Sequence, residues 1–217
     1  MAAFVVPLSS RTACDPAVAG GKGAGLARLL RAGFPVPPGF VISTAAFRHP
    51  LAEALREAGD LDKARRLCLD WAMPDAVRRS VLDAYRRLGG GPVAVRSSLV
   101  GEDAAAASFA GQLDTVLDVD GGPSLLDAVS KVLASAFSER LRAYVKKKAS
   151  GGTDPDRDRK LGPSLSAPLS LAVVVQSMVR ADVSGVAFSA DPLTGQNDVV
   201  IEAGAGLGED LVQGRLR

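Results

Sequence analysis

Arg96 stands near the end of an apolar run, residues 93–98, that predicts a β-strand. A loop of small residues follows, ending in the stretch 108–115, before a second predicted strand begins. A guanidinium offers a planar fork of donors to phosphate oxygens, and small residues let backbone N–H groups approach the same oxygens. The pattern therefore indicates an anion cradle. An ion pair with Glu102 or Asp103 is the alternative role for this arginine.

Lys22 lies in a glycine-rich stretch, Gly20-Gly21-Lys22-Gly23, just before a predicted helix over residues 24–32. Its ammonium group and the positive end of a helix dipole both favour a bound anion. The stretch does not match the P-loop, because the upstream glycine is missing and Gly23 stands where the magnesium-binding Ser or Thr would be. A plain glycine turn before a helix is the alternative interpretation.

Two further side chains are candidates for a small-molecule site. Gln176 ends an apolar predicted strand, where it could present polar atoms to a flat heterocycle or simply be the polar end of a buried strand. Glu202 ends another predicted strand, where it could hold a metal ion or cap a turn. The run 204–209 is similar to a dinucleotide-binding fingerprint, but Glu209 replaces its third glycine and no βαβ pattern surrounds it. That interpretation is rejected.

The composition excludes several classes of protein. The 217 residues are 47% hydrophobic, enough for a sizeable core, and the net charge of +2 gives no general polyanion signal, so no nucleic-acid partner is predicted. Cys14 and Cys68 form no CxxC pair and His49 is the single histidine, which argues against a disulfide framework, a zinc site and His-dependent hydrolase triads. No export signal or membrane-spanning apolar run is recognisable, so a cytoplasmic protein without membrane contact is predicted.

The pattern of apolar residues predicts an α+β chain in two parts. Residues 1–149 are assigned to a first subdomain, with strands at 4–8, 40–43, 93–98 and 116–119 and helices at 24–32, 51–56, 61–71, 76–88 and 124–148. Residues 150–168 are rich in Gly, Pro, Asp and Arg and are predicted to form a flexible loop. Residues 169–217 are assigned to a partial second subdomain, in which strands at 169–178, 183–190 and 198–203 form an antiparallel meander.

In order along the chain, four groups of motifs resemble the nucleotide-binding region of the pyruvate phosphate dikinase and phosphoenolpyruvate synthase family, which includes rifampin phosphotransferase. They are GGKGAGLA at 20–27 with GFPVPPGF at 33–40, VRSS at 95–98 with ED at 102–103 and SFAGQ at 108–112, VQSMV at 175–179 with SGVAFS at 184–189, and EA at 202–203 with GLGE at 206–209. The stretch 108–115 is closer to the synthase and antibiotic-phosphotransferase branch than to the dikinase branch.

The resemblance implies an ATP-grasp-like fold, in which two subdomains with mixed or antiparallel sheets and flanking helices hold ATP and Mg²⁺ between them. By motif match it implies that Lys22 and Arg96 bind the ATP phosphates and act in catalysis. Gly111 and Thr115 would belong to a loop that closes over these phosphates, and Gln176 would lie beside the adenine. The phosphate would pass to a histidine on a separate swivelling domain, downstream or in a partner protein.

The resemblance also sets an expectation about completeness. The family continues beyond the GLGE motif with an acidic metal ligand and a Gln-x-Arg-Pro motif, whereas this sequence ends at Arg217. A fold and an ATP site left incomplete at the C-terminus are therefore expected, with weak or no phosphoryl transfer by the isolated chain. The alternative is a nucleotide-binding module without catalysis that acts only through a partner.

Overall fold

The computed structural model describes residues 3–56, 61–100, 115–137, 170–191 and 194–208. Within these residues the fold is α+β, with a five-stranded antiparallel sheet, a separate two-stranded antiparallel sheet and five α-helices. The larger sheet has the strand order β1-β2-β5-β3-β4 and is formed by β1 (Val5–Pro7), β2 (Gly39–Ile42), β3 (Val93–Leu99), β4 (Thr115–Val119) and β5 (Leu171–Ser177).

The helices are α1 (Pro16–Arg31), α2 (Thr44–Arg56), α3 (Leu61–Leu69), α4 (Asp75–Arg87) and α5 (Gly122–Ser135), and a short 3₁₀ helix, Arg11–Cys14, precedes α1. Helix α1 begins at Pro16 because the Asp15 side chain accepts a hydrogen bond from the Ala17 N–H at 2.9 Å, and because proline suits the first helical position. The alternation of apolar and charged residues in α3 and α4 is typical of helices with one buried face, and both lie where the sequence predicts them.

Strand β5 is central in the sheet because its side chains are apolar on both faces. Residues 171–176 are all buried, and successive side chains point to opposite faces. Val173 and Val175 face the main core, formed with helices α2 to α5. Ala172 and Val174 lie on the other face, which we call the α1 face because Ala19, Leu26 and Leu30 of helix α1 pack there.

The two remaining strands, β6 (Val183–Phe188) and β7 (Val200–Ala205), form a hairpin of their own. By its internal contacts the chain divides into two units after Met178. The predicted three-stranded meander is therefore wrong, since β5 pairs on both sides with β2 and β3 in the first unit. The sequence assigned residues 169–178 to the second subdomain, but a strand that is apolar on both faces is buried most fully inside the larger sheet.

Of the predicted helix over residues 124–148, the structure describes only the part up to residue 137. Helix α5 ends at Ser135, and Ala136 is its C-cap. Residues 138–169, which include the rest of that predicted helix and the predicted loop 150–168, lie outside the described residues. Among the helices of the described ranges, none combines the length and apolar character needed to cross a bilayer.

Candidate functional site

Helix α1 is interrupted at Gly20, two residues before Lys22. Gly20 has φ 68° and ψ 177°, a backbone conformation that is essentially restricted to glycine. A second helical segment begins at Gly21, and its first turn contains Lys22. The predicted start of this helix at residue 24 is therefore wrong, because α1 already begins at Pro16 and the glycines lie inside it. Lys22 is nonetheless near a helical N-terminus, because the interruption creates one.

Ser98 of β3 bridges this interruption. In an unbroken helix the Gly23 N–H would donate to the Ala19 carbonyl, four residues earlier. Here the Gly23 N–H donates to Ser98 Oγ at 3.0 Å, and the Ser98 hydroxyl donates to the Ala19 carbonyl at 2.8 Å. A side chain inserted in this way is a recognised cause of helix kinks. The fully buried hydroxyl therefore ties both segments of α1 to strand β3.

Arg96 lies two residues before Ser98, on the same face of β3. Its cross-strand partners are Val174 on β5 and Thr115 on β4, and directly opposed residues carry their side chains on the same face of the sheet. Val174 in turn lies beneath α1, where a Cβ built on Gly23 would be 3.5 Å from its Cγ2. Arg96 is half-buried. It is therefore next to the part of the sheet that is covered by residues 21–23, the first turn of α1 after the interruption at Gly20.

Gln176 lies on the α1 face, diagonal to Arg96. It is opposite Ala94 on β3 and Gly39 on β2, and diagonal neighbours in antiparallel sheets are about 7–8 Å apart. Its side chain is only 7% exposed, and its Nε2 donates to the Pro37 carbonyl at 3.0 Å. Because the two flanking residues are small, the sheet surface beside Gln176 carries no bulky cross-strand neighbour.

The structure thus brings most of the predicted site residues to one region. Arg96, Thr115 and Gln176 share the α1 face, and the Ser98 hydrogen bonds hold the turn that contains Lys22 against it. Gly111 lies outside the described residues, as do the two carboxylates at 102 and 103 that could pair with Arg96. The roles of Gly111 and of that ion pair therefore stay predictions.

Glu202 belongs to the hairpin of the second unit. It is exposed on β7, opposite Val186 of β6. Within the described residues there is no group of three or more His, Cys, Asp or Glu side chains that could hold a metal ion. Glu202 therefore stays a single candidate ligand.

Ser98 is the site residue that the sequence analysis missed. The available signal was a pair of serines that end an otherwise apolar strand, because a buried hydroxyl needs hydrogen-bond partners. The glycine stretch carried the complementary signal, since glycine permits a backbone conformation that interrupts a helix. Nothing in the local pattern shows that these two segments, 75 residues apart at Gly23 and Ser98, are joined.

The fold is α+β, and Arg96 lies on the sheet face against which the Ser98 hydrogen bonds hold the turn of Lys22. Residues 16–217 match the family described as "Pyruvate phosphate dikinase, AMP/ATP-binding domain". The chain belongs to this family of AMP/ATP-binding domains, and the resemblance drawn from the sequence motifs is confirmed.

Curated relatives agree with this assignment. The chain is 37% identical to the prodigiosin synthesizing transferase PigC of Serratia marcescens, over 98% of this chain and 23% of the relative. It is 35% identical to a probable phosphoenolpyruvate synthase of Methanocaldococcus jannaschii, over 97% of this chain and 19% of the relative. It is 38% identical to a rifampicin phosphotransferase of a Streptomyces species, over 97% of this chain and 25% of the relative. The chain spans a quarter or less of the length of each of these three relatives.

Proposed function

We propose that this chain provides the ATP site of a phosphotransferase that passes a phosphoryl group to a histidine on a separate swivelling domain. The family assignment supports ATP as the nucleotide. The names of the relatives, phosphoenolpyruvate synthase and rifampicin phosphotransferase, support phosphoryl transfer. The observation that carries the proposal is the pair of Ser98 hydrogen bonds, which ties the turn of Lys22 to the strand that bears Arg96.

Lys22 and Arg96 would bind the ATP phosphates. Two cationic residues held close together would raise the local positive potential, and the N-terminus of the second segment of α1 would add to it. Phosphoryl transfer proceeds largely through positioning and charge stabilisation, because negative charge is spread over the phosphoryl oxygens in the transition state. Arg96, with its planar fork of donors, suits bidentate binding of these oxygens, while Lys22 acts as a point charge.

Gln176 would lie beside the adenine. Its cross-strand neighbours Gly39 and Ala94 are small, so neither β2 nor β3 places a bulky side chain opposite it, while Leu8 packs close to Gly39. Thr115, directly opposite Arg96, would place the end of the phosphate-covering loop, to which Gly111 also belongs, next to the phosphates. Base and phosphates would then lie along one face of β3 and β5.

Mg²⁺ would accompany ATP, since in nucleotide sites it is bound by one or two carboxylates together with the phosphate oxygens. Glu202, an exposed carboxylate of the second unit, stays a candidate for one such ligand. The ion would neutralise phosphate charge during transfer.

Calorimetric titration of the 217-residue chain with Mg-ATP tests the binding site. We expect Arg96→Ala and Lys22→Ala each to weaken ATP binding by about 10- to 100-fold, because each removes charge-assisted hydrogen bonds to phosphate. Arg79→Ala is the matched control, because Arg79 is exposed on α4, which packs against the other face of the sheet. Circular dichroism establishes that each variant is folded. Equal ATP affinity in wild type and in both site variants would refute the assignment.

Transfer is tested separately, by incubating the chain with radiolabelled ATP and a histidine-bearing swivelling domain from a relative. We expect at most weak acid-labile label on the histidine, in line with the weak transfer expected of the isolated chain, and less of it with either site variant. ATP binding without any labelled histidine would instead favour the non-catalytic nucleotide-binding module.

A further inference from the structure

We propose that Ser98 is a positioning residue for ATP binding, which fixes Lys22 relative to Arg96 by bridging the interruption in α1. This inference rests on the proposed function, because it takes both cations to be phosphate ligands. The role of Ser98 follows from the two hydrogen bonds of its hydroxyl and from its place on β3.

The Ser98 bridge replaces a backbone hydrogen bond of helix α1. The Ser98 hydroxyl accepts a hydrogen bond from the Gly23 N–H and donates one to the Ala19 carbonyl. In an unbroken helix these two backbone groups would be hydrogen-bonded directly to each other. Both hydrogen-bonding functions of the hydroxyl are thereby used. Removing it would leave a buried N–H and a buried carbonyl without this partner, which is costly away from water.

The Ser98 bridge also determines where Lys22 lies. Gly20 takes φ 68° and ψ 177°, so the chain changes direction immediately before the lysine. Glycine at this position can adopt other conformations at little cost, so the backbone alone does not hold the turn. The bond from Gly23 to Ser98 does, since Gly23 directly follows Lys22 and Ser98 lies on a central strand of the sheet.

Strand β3, which carries Ser98, also carries Arg96. Ser98 and Arg96 are two residues apart on one face of β3, and each is paired with a buried residue of β5, Ala172 and Val174. A central strand paired on both sides is a rigid support. One hydroxyl therefore connects the interruption of α1 before Lys22 with the strand that carries Arg96.

The chain offers a matched control in Ser97. It is the same residue type on the same strand and is also buried, but it faces the main core instead of α1. Ser97→Ala removes the same atom one residue away and leaves the bridge intact. Ser98→Thr keeps a hydroxyl and serves as the conservative variant.

Hydrogen exchange measures the bridge without any ligand. In wild type the Gly23 amide should exchange slowly, although it is the third residue of a helical segment whose first amides are normally unprotected. In Ser98→Ala its exchange should accelerate by about fivefold or more, the usual effect of losing a helix cap. Exchange should be unaltered in Ser97→Ala. A Gly23 amide that exchanges rapidly in wild type, or equally in wild type and Ser98→Ala, overturns the inference.

Titration with Mg-ATP and with adenosine then measures positioning. We expect Ser98→Ala to bind ATP about 5- to 10-fold more weakly and adenosine equally well, because only the phosphates contact Lys22. Ser98→Thr should recover ATP affinity, and Ser97→Ala should match wild type. A merely structural role would lower the affinities for ATP and adenosine together, so an unchanged ratio of the two overturns the inference.

The outcomes separate this inference from the proposed function. If Lys22→Ala and Arg96→Ala lose ATP affinity while Ser98→Ala keeps the wild-type ratio, the ATP site stands and the positioning role is refuted. If wild type binds no ATP, the proposed function and the positioning role both fail, even where exchange shows the bridge. Should Ser98→Ala fail to fold, Ser98→Cys replaces it, because a thiol has a similar size and is a weak donor and acceptor. The ATP-to-adenosine affinity ratio should then fall in Ser98→Cys, and an unchanged ratio refutes the role.

Discussion

Replacing Gly20 with alanine should destabilise the chain strongly, although glycine-to-alanine changes within helices usually stabilise. Gly20 lies inside α1 but has a positive φ of 68°, a conformation that alanine adopts only with strain. A Cβ at this position would also overlap the carbonyl oxygen and the Oγ of Ser98. Both effects act at the point where the helix is bridged to β3.

The magnitude follows from these two contributions. The backbone conformation costs about 1–3 kcal/mol for a residue other than glycine. Steric overlap in a packed interior costs about 1–3 kcal/mol more. The expected loss in the free energy of unfolding is therefore roughly 2–6 kcal/mol, provided the two contributions add. Because the overlapping atoms include backbone, a side-chain rotation cannot relieve it.

Gly25 provides the control within the same helix. It has ordinary helical geometry, and no other atom lies within 4 Å of a Cβ built there. Gly25→Ala should therefore raise the free energy of unfolding by about 0.5–1 kcal/mol, the usual gain when alanine replaces a helical glycine.

Equilibrium unfolding in urea, followed by circular dichroism, measures both variants against wild type. The two substitutions should change the midpoint in opposite directions with similar denaturant slopes. If Gly20→Ala is as stable as wild type, or if both variants gain stability alike, α1 is not interrupted at Gly20 in the way described.

Two further predictions concern the packing of the first unit. Tyr85→Phe should lower the free energy of unfolding by about 1–3 kcal/mol in the same assay. The buried hydroxyl that it removes donates to the Gly90 carbonyl at 2.8 Å and accepts from the Gly121 N–H at 2.9 Å. Unchanged stability of this variant would contradict the prediction. Burial raises the pKa of the Cys68 thiol from 9.0 to about 12, so a thiol reagent at pH 8 should modify the partly exposed Cys14 and spare Cys68 until denaturant is added. Because the folded state favours the neutral thiol, the stability that Cys68 contributes is complete below pH 9.0 and is lost as the pH rises towards 12. Urea unfolding measures the free energy of unfolding across this pH range. That free energy should fall less steeply with pH in Cys68→Ala than in wild type.

Local pattern predicted much of the fold. Helices α3 and α4 lie within a few residues of their predicted bounds, because their apolar residues recur with the period of a helix that buries one face. The strands at 93–98 and 183–190 were also predicted, from runs of apolar and β-branched residues. The glycine stretch at 20–23 was not predicted to be helical, because glycine is a poor helix former and contacts with β3 and β5 favour a helix there.

Local pattern did not predict strand pairing. The run that forms β5 lies next to β6 in sequence, which suggested a meander, yet β5 pairs with β2 and β3. Its position reflects burial on both faces, which depends on what the rest of the sheet and α1 can cover. A pattern read within a short window contains no information about these distant partners.

By itself the sequence determined the residue types of the site and the family, since motifs such as GGKG and VRSS are properties of short segments. Only the tertiary structure decided which of these residues share a surface. Cross-strand register puts Arg96 opposite Thr115 and diagonal to Gln176, and a single buried hydroxyl on Ser98 joins the turn of Lys22 to them. The physical reason is that hydrogen bonds between distant segments form only when packing brings their donors and acceptors within about 3 Å of each other, which no local periodicity specifies.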